Sequence, residues 1–104
     1  MRLAESFVIG VRRLLCRIPK GKVTTYKAIA IALGKPNAAR AVGNACNRNP
    51  SAPKVPCHRV VKSDGGIGGY AKGVKRKIAL LEGEGVKIKG GKIMRFKELL
   101  FAFK

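Results

Sequence analysis

Residues 25–47 read TYKAIAIALGKPNAARAVGNACN, and the spacing of apolar side chains in this stretch decides the fold. Tyr26, Ile29, Ala30 and Leu33 fall at i, i+3, i+4 and i+7, the period that gathers them on one side of an α-helix. Gly34 and Pro36 stop that helix, because proline cannot continue the hydrogen-bond ladder and glycine accepts the backbone of a helix end. Ala38, Ala41, Val42 and Ala45 then repeat the spacing behind Asn37, a residue suited to cap a helix N-terminus. Two short amphipathic helices joined by about four residues make a helix-turn-helix signature. Many helical hairpins share that spacing, so the outer face of the second helix says more. Arg40, Gly43, Asn44 and Asn47 line it, a stripe of small or hydrogen-bonding groups with one long cation. Small residues let a backbone come close to a groove. Arg40 stands in the first turn, where the helix dipole disfavours a positive side chain by some tenths of a kcal/mol. An ordinary exposed arginine is the competing reading.

Working outward to the N-terminus, Thr24 or Thr25 can cap the Tyr26 helix, and residues 22–24 form a short extended link. Before it, Ser6 can cap a scaffold helix with Phe7, Val11, Leu14 and Ile18 on one face and Arg12, Arg13 and Arg17 on or near the other. Pro19 and Gly21 end it. Towards the C-terminus, Asn49-Pro50, Ala52-Pro53 and Val55-Pro56 exclude helix, which makes the next connection short and stiff.

That connection leads into residues 55–61, V-P-C-H-R-V-V. Pro56 fixes its own φ and pushes Val55 into extended backbone, so Cys57 is placed by stiff chain. A thiol beside the only histidine and followed by Arg59 has the surroundings of a nucleophile held as thiolate. The plainer reading is a small buried hydrophobe. Val60 and Val61 look like the start of a buried strand. Neighbours in a strand point to opposite faces, so Cys57 and His58 would need a turn or a bridging water to exchange a proton.

Asp64-Gly65 signals a turn, and Gly65, Gly66, Gly68 and Gly69 surround Ile67. No Gly-Lys-Ser/Thr follows, so this is not a phosphate loop; glycines here let backbone approach a flat ligand. A helix is expected over residues 72–82, with Val74, Ile78 and Leu81 inward and Lys75, Arg76 and Lys77 mostly outward. Gly83 and Gly85 stop it and leave Glu84 between them. Residues 86–94 read as a hairpin around Gly90-Gly91. Residues 95–104 close with an amphipathic turn whose Phe96, Leu99, Leu100 and Phe103 belong to the core.

The chain carries 23 Lys plus Arg against 5 Asp plus Glu, a formal charge of +18. Such an excess repels itself and is drawn to polyanions, with nucleic acid ahead of an anionic membrane surface. Hydrophobic residues make up 46%, enough for an ordered globule, and no stretch approaches a transmembrane span. Three cysteines without a C-x-x-C, and one histidine, speak against zinc. With no signal peptide visible, the thiols belong in a reducing, cytoplasmic interior.

The 55–61 stretch resembles the active-site motif of the O6-alkylguanine-DNA alkyltransferases, the methylated-DNA-protein cysteine methyltransferases. The likeness runs from about residue 8 to 97 through Thr25-Tyr26, Ala38-Ala39-Arg40-Ala41-Val42-Gly43, Asn49-Pro50, Gly68-Gly69-Tyr70 and Leu80-Leu81-Glu82-Gly83-Glu84-Gly85, in the family's order. It implies a mainly α fold with short β, a winged-helix-like helix-turn-helix domain with a small C-terminal hairpin. It also implies one domain over residues 1–104, without the N-terminal domain that many relatives carry. The implied activity is single-use transfer of an alkyl group from O6-alkylguanine in double-stranded DNA to Cys57, by a monomer without metal or organic cofactor. His58, oriented by Glu84, would take the thiol proton, and Tyr26 would donate towards the leaving base. Arg40 would fill the gap left by a flipped nucleotide, with Ala39, Gly43, Asn44, Asn47 and Thr25 also at the DNA. Gly68, Gly69, Tyr70, Ala71 and Val60 would wall the base pocket, and Asn49 would be a structural hinge. Relatives often have Ser at the Ala71 position, which leaves the hold on O6 to a backbone N–H. Two other readings share the motifs: an alkyltransferase-like protein that flags lesions without repairing them, in which the cysteine is replaced, and an architectural helix-turn-helix binder.

Overall fold

The computed structural model describes residues 3–48 and 54–103, and the expected hinge Asn49 lies outside them. Among the described residues, five helices and four two-residue strands follow one another as α1 (Leu3–Leu15), β1 (Thr24–Thr25), α2 (Tyr26–Ala32), α3 (Ala39–Asn47), β2 (Val60–Val61), α4 (Val74–Gly83), β3 (Ile88–Lys89), β4 (Lys92–Ile93) and α5 (Phe96–Leu99). A 3-10 turn, Cys57–Arg59, leads directly into β2. The result is the mainly helical, helix-turn-helix architecture expected, with a C-terminal hairpin in which Ile88 pairs with Ile93.

Local chemistry explains the helix-turn-helix unit. Thr25 caps α2, its hydroxyl accepting the Ala28 N–H at 3.0 Å. At the other end Gly34 takes φ +75°, its N–H reaching Ile31 O while Lys35 N–H reaches Ala30 O, the paired bonds of a Schellman stop. α4 ends in the same way. Gly85 at φ +91° donates to Glu82 O, Val86 N–H reaches Leu81 O, and the buried side chains of Val86 and Leu81 join the same core cluster. That stop is what projects Glu84 from the end of α4.

β1 pairs in parallel with β2, Thr24 opposite Val60 and Thr25 opposite Val61. Successive strand residues face opposite ways, and the core divides accordingly. Val60 joins Val11, Leu15, Ile29, Val42 and Cys57 on the helical side, whereas Val61 joins Val23, Ile67, Leu81 and Ile93 on the hairpin side. The chain's end is tied in by Val23, which bonds to Leu99 O through its N–H and to Phe101 N–H through its carbonyl. Phe96, Leu99 and Phe103 pack on the two clusters as expected, while Leu100 is exposed and Phe101 packs in its stead.

Several local expectations need correcting. Ser6 lies inside α1, which starts earlier, and Asn37 gives way to Ala38 as the α3 cap, without a side-chain bond. Ala41 is exposed beside the buried Val42. α4 begins at Val74, later than residue 72, and is rotated from the expected setting: Val74 is 46% exposed and Lys77 is 0% exposed. Lys77 shares the inner face with Leu81 one turn on, and its ammonium bonds buried carbonyls, which offsets part of the cost of burying it.

Candidate functional site

The segment that carries Cys57 is neither strand nor loose loop. Pro56, at φ −83° and ψ 66°, centres an inverse γ-turn closed by Cys57 N–H on Val55 O at 2.9 Å. Arg59 N–H then bonds Pro56 O, which winds Cys57, His58 and Arg59 into a single 3-10 turn. The strand-based argument for opposite faces therefore does not apply here. The turn sets both side chains inward: Cys57 is 3% exposed and His58 is 1% exposed.

Glu84 gathers this turn. Its Oε2 accepts from His58 Nε2 at 2.9 Å and from Arg59 Nη2 at 2.7 Å, and its Oε1 accepts from Arg59 Nε at 2.9 Å. Arg59 also donates through Nη1 to Ile18 O at 2.6 Å, tying the segment after α1 to the same point. Burial would raise the Glu84 carboxyl, but the hydrogen bonds from Arg59 and His58 outweigh it and hold the group below its ordinary range. Burial lowers His58, against the opposing pull of Glu84, so near neutrality the ring is uncharged. A carboxylate only accepts, so Nε2 carries the imidazole proton and Nδ1 keeps its lone pair. Nδ1 is buried and has no hydrogen-bond partner among the described residues.

Other predicted groups converge on the same place. The Tyr70 ring meets His58 edge-on at 6.5 Å, and its hydroxyl is likewise buried without a partner among the described residues. Tyr26 lies between α3 and the glycine loop: a Cβ on Gly43 would come 3.8 Å from its ring, and one on Gly68 would come 3.0 Å from its hydroxyl. Gly68 has φ +74°, so both backbone and space demand glycine there. Burial first, then the charges of Cys46 and Cys57, push the Tyr26 phenol to about 12, which keeps its proton on at neutral pH. Gly69 and Ala71 are exposed. Val60 is buried in the helical cluster and offers the site its backbone only, through a carbonyl that takes the Lys77 ammonium.

The outer stripe of α3 meets this cluster at Gly43, beside Tyr26. Arg40, Asn44 and Asn47 are exposed, Ala39 and Gly43 partly so. Thr25 is buried, with its hydroxyl used as the α2 cap. Of two clefts of about 370 and 380 Å³, one lies beside Phe7, Ala38 and Asn44 and the other beside Thr25, Ile31, Phe96 and Phe101; neither touches Cys57. Among the described residues no cluster of His, Cys, Asp and Glu could hold a metal ion, and no helix is long and apolar enough to cross a membrane.

Lys77 and Cys46 are the members of the site that sequence reasoning passed over. Cys46 is buried on α3 and pushed to about 12, by burial and then by charge at Cys57. Its i+4 spacing from Val42 was a usable signal, whereas nothing in the spacing marks a lysine as internal.

Residues 6–86 match the family described as 6-O-methylguanine DNA methyltransferase, DNA binding domain. A Methanosarcina barkeri methylated-DNA-protein-cysteine methyltransferase is 54% identical over 77 residues, 74% of this chain and 49% of that relative. A Saccharolobus islandicus protein of the same name is 55% identical over 82 residues, 79% of this chain and 52% of its own. The chain thus spans about half the length of these curated relatives. Among solved structures, S. pombe Atl1 in complex with damaged DNA containing O6-carboxymethylguanine aligns with a TM-score of 0.86 and 35% identity, over 99% of this chain and 100% of that one. Mycobacterium tuberculosis OGT in complex with DNA aligns with a TM-score of 0.73 and 49% identity, over 75% of this chain and 48% of that one.

Proposed function

Because the chain belongs to the 6-O-methylguanine DNA methyltransferase DNA-binding-domain family, we propose that it repairs alkylated DNA by direct reversal, moving the alkyl group from O6 of guanine onto Cys57. The observation that carries this reading is the buried His58–Glu84 pair in the same turn as the buried Cys57, in which Glu84 fixes the imidazole through Nε2 and leaves Nδ1 without a partner among the described residues. Such an arrangement supplies a base beside a thiol and a carboxylate to stabilise the imidazolium that forms.

Double-stranded DNA is the partner. The +18 charge brings the protein to the phosphate backbone, the exposed face of α3 enters the minor groove, and Arg40 takes the space of the extruded nucleotide. Extrusion costs a few kcal/mol, less where the damaged base pairs poorly, so selectivity begins before chemistry. Cys57 gives its proton, through a water, to His58 Nδ1. Sγ then forms a bond to the alkyl carbon as the bond from that carbon to O6 breaks, and the electron pair moves into the purine. Tyr26, whose phenol keeps its proton, donates to N3 where the negative charge arrives. The thioether has no leaving group to return, so each molecule acts once.

Replacing Cys57 by Ser tests the assignment. Transfer should vanish while DNA affinity stays; retained transfer would move the acceptor to Cys16 or Cys46.

A second reading has its own support. The S. pombe Atl1 structure, crystallised with damaged DNA, aligns with 99% of this chain against 75% for the M. tuberculosis protein, at 35% rather than 49% identity. A lesion binder without transfer would bind O6-alkylguanine DNA equally well as wild type and as Cys57→Ala, and would never acquire an alkyl group.

A further inference from the structure

Lys77 is the largest wholly buried side chain among the described residues, and the mechanism described above does not use it. Its Nζ donates to Val60 O at 2.7 Å and to Gly69 O at 3.0 Å. Val60 is the residue immediately after the 3-10 turn that holds Cys57 and His58, and Gly69 lies between Gly68 and Tyr70 on the facing loop. The ammonium also lies 5.9 Å from the centre of the Tyr26 ring. One cation thus touches three of the segments that enclose the site.

An ammonium in such a place is costly. Burial draws Lys77 down to about 8, against the opposing effect of negative charge at Cys46 and Cys57. The titratable groups that face it are Tyr26 from α2, Cys46 from α3, and Cys57 and His58 from the 3-10 turn. An unfolded lysine holds its proton to about 10.5, so between the two values the unfolded chain binds more protons and the fold gains stability as pH rises. At neutral pH, then, this side chain works against folding on its own account. Its neighbours on the inner face, Ile78 and Leu81, mark a surface where an aliphatic residue would pack.

We propose that Lys77 is a positioning residue of the acceptor site: by bonding Val60 and Gly69 together it sets the gap between the Cys57 turn and the glycine loop, so that an extruded base arrives in line with the sulfur. The inference rests on Cys57 being the alkyl acceptor and adds to that reading the part that fixes its geometry.

Single-turnover methyl transfer from duplex DNA containing O6-methylguanine tests it, comparing wild type, Lys77→Met and Lys77→Arg, with DNA affinity followed by fluorescence anisotropy and folding by circular dichroism. A misplacement of about 1 Å costs up to about 100-fold, so transfer at saturating DNA should fall at least ~10-fold in Lys77→Met with affinity within about two-fold. Lys77→Arg, which keeps a cation and several donors, should recover part of the loss. A folded Lys77→Met protein that transfers at the wild-type rate overturns the proposal. Should the Met variant fail to fold, Lys77→Gln decides instead: its shorter amide cannot hold both carbonyls as Nζ does, so the saturated rate should fall at least ~10-fold with affinity kept. A folded Lys77→Gln protein that transfers at the wild-type rate overturns the role. Wild-type protein that never gains a methyl group is a different failure, which removes the acceptor reading and this inference with it.

Discussion

Glu84 is the residue on which the local account turns, because among the described residues it pairs with both His58 and Arg59 and has little water around it. Removing one partner of a buried ion pair strands the other, so Glu84→Ala should lose about 3 kcal/mol by denaturant titration. Acid should act through the same contacts. Folded His58 takes a proton less readily than an unfolded histidine, so the unfolded chain binds more protons as pH falls below 6.5 and stability drops there. Folded Glu84 holds its charge below the ordinary 4.5, so the stability it confers is present above 4.5 and disappears as pH falls through its lower folded value. In Glu84→Ala the second of these losses should be missing from the stability curve; an unchanged acid limb would contradict the assignment. The flanking glycines mark the helix stop that leaves Glu84 at the end of α4, but its partnership with His58 was implied by the family resemblance and not by spacing. Nothing comparable marks Lys77. Helix periodicity gives a face, but a lysine at its margin is assigned to solvent by default, and the two carbonyls that draw it inward come from other segments.

Among the elements, α2 and α3 were the most readable, because a capping Thr, a stopping Gly and a repeated apolar spacing all agree over one short stretch. The ends of α1 and α4 were less so. Ser6 resembled a cap only because the residues before it carry a weaker apolar pattern, and Val74 was counted inward although α4 is turned to bring Lys77 to the carbonyls of Val60 and Gly69. The 3-10 turn at Cys57 was missed because an X-Pro pair signals extended chain, and the γ-turn around Pro56 reverses that signal over one residue. α3 carries a test of its own. A Cβ at Gly43 would sit 3.8 Å from Tyr26, an ordinary contact, so Gly43→Ala should be accommodated and should stabilise the free protein by up to about 1 kcal/mol. If this face enters a groove, the same change should weaken DNA binding, and Arg40→Ala should slow repair in duplex far more than in short single strands. Unchanged affinity in the first variant, or equal losses on both substrates in the second, would take α3 out of the interface.

At the scale of the whole molecule, the β1–β2 pair separates a helical cluster from a hairpin cluster, and the Cys57 turn is held at their junction by Arg59, Glu84 and Lys77. The charge outside is a separate property, readable from composition alone. Contact with roughly five phosphates should give a salt slope of about −4 to −5 in log affinity against log salt; a flat response would refute electrostatic docking. The proposed function joins the two properties, since it requires a sulfur 3% exposed in the free protein to meet a base extruded from DNA. Peptide mass mapping after incubation with duplex DNA containing O6-methylguanine examines that meeting directly. One added methyl group on the peptide containing Cys57, and none on those containing Cys16 or Cys46, is the predicted result. A protein that binds the lesion yet leaves every cysteine unmodified would contradict it.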